Sequence, residues 1–283
     1  MIKLYDKDIQ ISDNTTAGKL LKYVGYDKKV LEIGCASGVQ SKLLRDVFRC
    51  NVTGIEINSV AAEQAKQYCD TLIVGNIESL CLHECLGDVT FDVILMADVL
   101  EHLRQPDIVL DKLKSFLTDE NSYIVISVPN IVHASVVYQM MQGVFRYSEF
   151  GLLDDTHIRF FSKQGIIELL GVAGCTILEI RRVICEPLLS EIKTVISTED
   201  DFKAMIYLLQ HNAESLVYQY VIKASFNTNN SDSPISIENE SDLNEMIESR
   251  NKLIYNYRVN SNKVSKFLDR FRNKFIRPKR STK

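Results

Sequence analysis

Residues 28–38 read KKVLEIGCASG. A short apolar run with a β-branched residue at each end of its core runs into a turn that carries Gly34 and Gly38. Behind it, VQSKLLRDVF (39–48) sets Val39, Leu43, Leu44 and Val47 at helical spacing. That pattern is strand, tight turn, helix. In an open α/β sheet, ligands bind beyond the carboxyl ends of the strands, so this turn is the first place to look for a site.

The alternation repeats outward from there. VTGIEI (52–57), TLIVGNI (71–77), FDVILMADVL (91–100) and YIVISVPN (123–130) read as strands. NSVAAEQAKQYC (58–69), a segment near 106–117 with Pro106 in its first turn, and KQGIIELLGVAG (163–174) read as helices. CTILEIRRV (175–183) and SLVYQYVIKASF (215–226) read as two closing strands around a helix at 199–211. Strands and helices alternating at this spacing predict a doubly wound α/β domain over residues 1–226. The polar stretch 227–241, rich in Asn and Ser, reads as a linker, and 242–283 as a basic helical tail.

Of the 283 residues, 46% are hydrophobic and 25% charged, which excludes a wholly disordered chain. No run approaches 18 apolar residues, so no spanning helix is expected. MIKLYDKDIQ lacks a signal-peptide apolar core, and seven irregularly spaced Cys suit reduced thiols, which together predict a cytoplasmic protein. Charge is unevenly spread. Residues 250–283 hold 12 Lys/Arg and one acid, Asp269, a charge of +11, while the rest, with 21 basic and 36 acidic residues, carries −15.

Gly34 and Gly38 let the backbone approach a ligand without a Cβ in the way. Glu56, at the end of the second strand, can accept hydrogen bonds from both hydroxyls of a ribose, and Glu32 suits a ligand carrying an ammonium group. A dinucleotide fingerprint would need three glycines where this chain has Gly34, Ala36 and Val39, so a pyrophosphate cradle is not expected.

VLEIGCASG, GIEIN and FDVILMADVLEHL, in this order and at these gaps, resemble the class I S-adenosylmethionine-dependent methyltransferases over about residues 15–225. The resemblance implies a Rossmann-like seven-stranded sheet, mostly parallel with the last strand antiparallel, and S-adenosyl-L-methionine as cofactor. It also implies that Gly34, Ala36 and Gly38 line the methionine part, that Glu56 with Ile57 holds the ribose, that Asn76 and Ile77 flank the adenine, and that Asp98 closes the cofactor edge. Asn76 departs from the Asp that many relatives carry there. An Asn carbonyl still accepts a hydrogen bond, without charge assistance.

Asp154-Asp155-Thr156-His157-Ile158-Arg159-Phe160-Phe161 falls above the carboxyl edge of the sheet and resembles a D-x-T-H-x-R-F-F segment of methyltransferases in bacterial cell-surface sugar and lipid biosynthesis. A hydroxyl acceptor must lose a proton, and a nearby His or carboxylate takes it. His157 is the expected base, with Asp154 or Asp155 orienting it or binding a sugar hydroxyl; the competing reading is a His that bonds a carbonyl. His102, after Glu101, is the second candidate. Arg159 is read as binding an acceptor phosphate or carboxylate, or as pairing with an acid. Residues 131–153 read either as a greasy lid over the acceptor or as a packed helix. Cys81-Leu-His83-Glu-Cys85 lacks a second ligand cluster, so no metal site is expected.

In the tail, Phe267, Leu268, Phe271, Phe275 and Ile276 share a helical face beside Lys263, Lys266, Arg270, Arg272, Lys274 and Arg277, the pattern of a segment lying on an anionic membrane. Nucleic acid is disfavoured by the acidic body. Leu243, Met246, Ile247, Leu253, Ile254 and Tyr257 read as a coiled-coil seam for self-association. The expected reaction is O-methylation of a sugar or lipid-linked glycan hydroxyl. The alternatives are a small lipophilic acceptor such as a quinone precursor, or a methyltransferase-like scaffold that binds cofactor weakly.

Overall fold

The computed structural model describes residues 15–118, 121–226 and 240–275, with residues 240 and 265–275 described by backbone alone. The chain opens with α1 (Thr16–Val24), then β1 (Lys29–Ile33), α2 (Val39–Asp46), β2 (Asn51–Glu56), α3 (Ser59–Ala65), β3 (Thr71–Val74), α4 (Leu82–Leu86), β4 (Val93–Ala97), α5 (Pro106–Leu113) and β5 (Tyr123–Pro129). It continues with α6 (Ala134–Met141), α7 (Lys163–Val172), β6 (Thr176–Ile184), α8 (Glu199–His211), β7 (Val217–Ser225) and α9 (Glu240–Phe275). The seven strands form one sheet in the order β3-β2-β1-β4-β5-β7-β6. The first five are mutually parallel, and β7 runs antiparallel to both β5 and β6. The expected fold class is therefore the observed one.

The central strands read as unbroken apolar runs because both faces of the sheet are covered. Side chains alternate across it. Val93 and Leu95 of β4 join Val30, Val52 and Val125 under α1 and α2. Ile94 and Met96 join Leu31, Ile55, Ile124 and Ile126 under α5, α7 and α8. The sheet order reverses beside β1, and the turns after β1, β2 and β4 gather at its carboxyl edge.

Two helices have no counterpart in the sequence reading. α1 is capped by Thr15, whose hydroxyl accepts from the Gly18 amide at 3.1 Å. Its apolar stripe is interrupted by Lys19, which is buried, so the pattern looks solvated when it is not. The five-residue α4 is too short for periodicity to reveal.

Lys19 explains why α9 starts at Glu240, inside the stretch read as linker. Asp242 is 2% exposed and lies 2.9 Å from Lys19 Nζ and 3.3 Å from Arg181. Its second oxygen accepts from the Arg182 amide at 2.7 Å. Beyond that anchor, Met246, Leu253 and Tyr257 are buried in the main core, and Leu243, Ile254 and Val264 pack against it. All of the stripe read as a self-association seam except the exposed Ile247 is packed on the chain's own domain, chiefly on α8, with Phe202 and Tyr257 rings 5.9 Å apart. Residues 227–239 and 276–283, with the side chains from residue 265 on, lie outside the described residues, as do the anchors Phe267 to Arg277 of the expected membrane face. No helix among the described residues is long and apolar enough to cross a membrane.

Removing one partner of a buried ion pair costs about 3–5 kcal/mol, because the other charge is left uncompensated. Asp242→Ala is therefore expected to lower unfolding free energy by about 3 kcal/mol in urea denaturation. A loss under about 0.5 kcal/mol, typical of a surface change, would contradict the anchor.

Candidate active site

The turn after β1 holds three left-handed residues within five positions: Gly34 at φ +72°, Ala36 at +49° and Gly38 at +82°. A Cβ at Gly38 would stand 2.7 Å from the Ala65 backbone, so this glycine lets α2 pack against α3. At Gly34 it would meet Val99 at 2.9 Å. Ala36 has no such excuse, and a non-glycine residue in this region costs about 1–3 kcal/mol. Its amide donates to Glu56 Oε2 at 2.8 Å, while Glu56 Oε1 accepts from the Asn58 amide at 2.8 Å. A hydrogen bond to a charged group contributes about 1.5–3 kcal/mol, enough to offset that strain. The Gly34 and Cys35 amides donate to the Ile55 carbonyl at 2.7 and 3.3 Å, tying the turn to β2. A carboxylate offers about four lone-pair positions, so Glu56 keeps acceptor capacity beyond its two backbone partners.

Glu32 does not belong with this open face. It is 3% exposed, its carboxylate accepts from Ser41 Oγ at 2.6 Å, and burial raises its pKa to about 8. That bond fastens α2 to β1. Ile57, by contrast, is 65% exposed beside Glu56. Ile77 is buried in the core. Asn76 spends its side-chain carbonyl on the Glu78 amide at 2.9 Å, a local turn that ends β3 early.

β4 ends where Asp98 swings to φ +55°. Its Oδ1 accepts from Ser127 Oγ at 2.6 Å and from Gln219 Nε2 at 2.9 Å, and Gln219 is bonded in turn to Thr16 of α1. Asp98 is an exposed residue whose carboxylate is nonetheless surrounded by protein atoms, and desolvation raises its pKa. Ser127, Gln219 and Thr16 gave no sequence signal, since they join three elements far apart in the chain.

A second group stands beside Asp98. The Ile158 and Arg159 amides both donate to the Glu101 carbonyl at 3.0 Å, which hooks the 154–161 segment onto the chain after β4. Glu101, His102 and His157 thereby meet: their donor atoms all lie within 4.8 Å of one another, and the two imidazole rings are 4.9 Å apart, edge to face. His157 is 8% exposed and Glu101 1%, whereas His102 is exposed. Burial, then the charges of Asp98 and Asp154, hold the Glu101 pKa well above the usual carboxylate range. Asp154 accepts from the Thr156 amide and hydroxyl at 2.9 and 2.6 Å and so orders the loop, while Asp155 is exposed. The Arg159 guanidinium donates to the carbonyls of Leu103, at 3.0 Å, and Arg104. Sequence reading treated Glu101 only as a neighbour of His102, and its burial between two distant segments is what it lacked.

Residues 131–153 divide between the two readings. Ala134, Val136 and Tyr138 of α6 are core. Farther on, Phe145 and Tyr147 are half exposed and stack edge to face, and Phe145 meets Phe160, which meets His157 with centroids 6.3 Å apart. The histidine pair is flanked by an open aromatic ledge.

Residues 11–180 match the family described as "Methyltransferase domain". Among characterised proteins, the ubiquinone biosynthesis O-methyltransferase of Glaesserella parasuis is 28% identical over 102 residues, 34% of this chain and 43% of that protein. The mitochondrial ubiquinone biosynthesis O-methyltransferase of Saccharomyces cerevisiae is 35% identical over 108 residues, 36% of this chain and 33% of that protein. The matched part spans less than half the length of either relative. A SAM-dependent methyltransferase from Archaeoglobus fulgidus superposes with a TM-score of 0.52 at 21% identity, covering 74% of this chain and 91% of that one. Another from Thermotoga maritima, described as a possible histamine N-methyltransferase, gives 0.51 at 18% identity, covering 75% and 88%. With the family match spanning more than half of its residues, the chain belongs to the methyltransferase-domain family, and its sheet order agrees with the fold of the methyltransferases it superposes on.

Proposed function

We propose that this enzyme moves the methyl group of S-adenosyl-L-methionine to a hydroxyl oxygen of a small acceptor with an apolar, aromatic body, of the quinone-precursor type. The observation that carries this reading is the position of the Glu101–His102–His157 group: it adjoins Asp98 at the cofactor edge on one side and the Phe160–Phe145–Tyr147 ledge on the other. The ledge suits a flat apolar acceptor, and the polar group suits its hydroxyl. The O-methyltransferase relatives support the same acceptor class.

The reaction is an in-line displacement. An electron pair on the acceptor oxygen forms the new O–CH3 bond, the S–CH3 bonding pair stays on sulfur, and the hydroxyl proton leaves. The sulfonium is already a strong donor, so the protein's contribution is alignment, exclusion of water and removal of that proton. The turn at Gly34–Gly38 with Glu56 holds the nucleoside end, and the histidine pair holds the oxygen. A second reading, a sugar or lipid-linked glycan hydroxyl, is favoured by the resemblance of Asp154–Phe161 to cell-surface enzymes. We place the basic C-terminal segment at an anionic membrane surface in either case, since lipophilic and lipid-linked acceptors both reside there.

Transfer of labelled methyl from the cofactor into a membrane-lipid extract tests the acceptor. Label in a hydroxylated aromatic lipid is expected; label confined to glycan moves the assignment to the second reading. His157→Ala should lower kcat by ~10²-fold or more while cofactor Kd changes less than about threefold. An unchanged kcat would remove His157 from the reaction. Full-length protein should co-sediment with vesicles containing phosphatidylserine, and deletion of residues 262–283 should abolish this; equal binding by the truncated protein would refute the anchor.

A further inference from the structure

We propose that Glu101, His102 and His157 bind a divalent cation whose remaining positions hold the acceptor hydroxyl. The role given to the ion rests on the methyl-transfer reading above; the ion site itself does not.

The first support is composition and placement. Two imidazoles and a carboxylate, with donor atoms within 4.8 Å of one another, form the mixed set that suits Mn2+, Fe2+, Co2+ or Zn2+ with coordination positions left open. Facial ligands at ~2.1 Å from one ion stand ~3 Å apart. A shift of His102, the exposed member, toward the buried pair closes the shell.

The second support is an unmet demand. Glu101 is 1% exposed, yet neither of its carboxyl oxygens has a hydrogen-bond partner among the described residues. A buried carboxyl group left unsatisfied costs several kcal/mol. A direct Glu101–His157 dyad does not meet that demand: Oε1 and Nε2 are 4.0 Å apart, beyond hydrogen-bond range. Asp98 and Asp154 add negative charge at the same place, the reverse of what an isolated buried carboxylate tolerates and what a cation would draw on. Arg159, two residues from His157, directs its guanidinium to main-chain carbonyls instead.

The third support is the tautomer of His102. Thr156 Oγ1 gives its proton to Asp154 Oδ1 at 2.6 Å, so toward His102 Nδ1, 3.3 Å away, it can only accept. The Thr156 carbonyl, 3.2 Å from the same nitrogen, can only accept as well. His102 Nδ1 is therefore the protonated nitrogen, and Nε2 carries the lone pair. Metal-bound histidines are commonly oriented by such a bond from the other ring nitrogen. Asp154 thus acts through Thr156 on His102.

An oxygen bound to a divalent cation loses its proton far more readily; on zinc the pKa of water falls to ~7. A hydroxyl on this ion would be presented to the methyl group as the alkoxide or phenolate, with its proton released to water.

The test uses the full-length chain after chelator treatment, titrated with Mn2+ alone and followed by the electron paramagnetic resonance signal of free Mn2+. Mn2+ is chosen because the free cysteines are poor ligands for it. Wild type should take up about one equivalent, and His102→Ala and Glu101→Gln should each weaken uptake at least ~10-fold. Thermal melting and cofactor binding of His102→Ala, altered at an exposed position, confirm that the fold is kept. No uptake by wild type, or uptake untouched by both substitutions, overturns the site. Methyl transfer at full rate in excess chelator overturns the role of the ion. Uptake lost in both variants upholds the site even where no acceptor is methylated, and then only the acceptor reading falls.

Discussion

One bond sets up the cofactor edge of this molecule: the Ala36 amide to the Glu56 carboxylate. The turn it closes is strained at a residue that is not glycine, and the strain and the charged hydrogen bond are of similar size, about 1–3 kcal/mol each. Because Glu56 ends β2 and Ala36 follows β1, the bond also fixes where the two adjacent strand ends stand. The carboxylate stays nearly buried, anchored by backbone on two sides, with lone pairs left for a ligand.

Around that bond the carboxyl edge divides into two halves that meet after β4. One half is the turn, Glu56 and the exposed Ile57. The other is Glu101, His102 and His157, with the aromatic ledge beyond. Asp98 stands at the seam, turned out of the strand by its left-handed backbone and pinned by Ser127 and Gln219. Methyl transfer needs donor and acceptor in line, and on the function proposed above the neighbouring strand ends of one sheet edge would carry the two binding sets on rigid elements.

The fold was legible because its signals are local. β1 to β5 are continuous apolar runs, each helix between them carries its own period, and Gly34 and Gly38 mark a turn whose need for left-handed backbone is readable in the residue type. Contacts between distant segments were not legible. Lys19 reads as a solvated position until Asp242, far along the chain, is seen against it. The same blindness put the start of α9 in a linker. At the site, Glu56 stands at the strand end where the sequence puts it, while the bond of Glu32 to Ser41 depends on how α2 docks and carries no sequence signal. The carbonyls that Arg159 serves carry no sequence signature either. Glu101 stood in plain view beside His102, and only its burial against His157 shows it to be more than a helix-start residue.

The central claim is that Glu56 and the left-handed turn together form the grip on S-adenosyl-L-methionine. Calorimetric titration of the cofactor into the wild type and into Glu56→Ala measures it directly. The account predicts a loss of affinity of at least ~10-fold, the equivalent of one charged hydrogen bond, in a protein that still melts cooperatively. Equal affinity in the two proteins would contradict it.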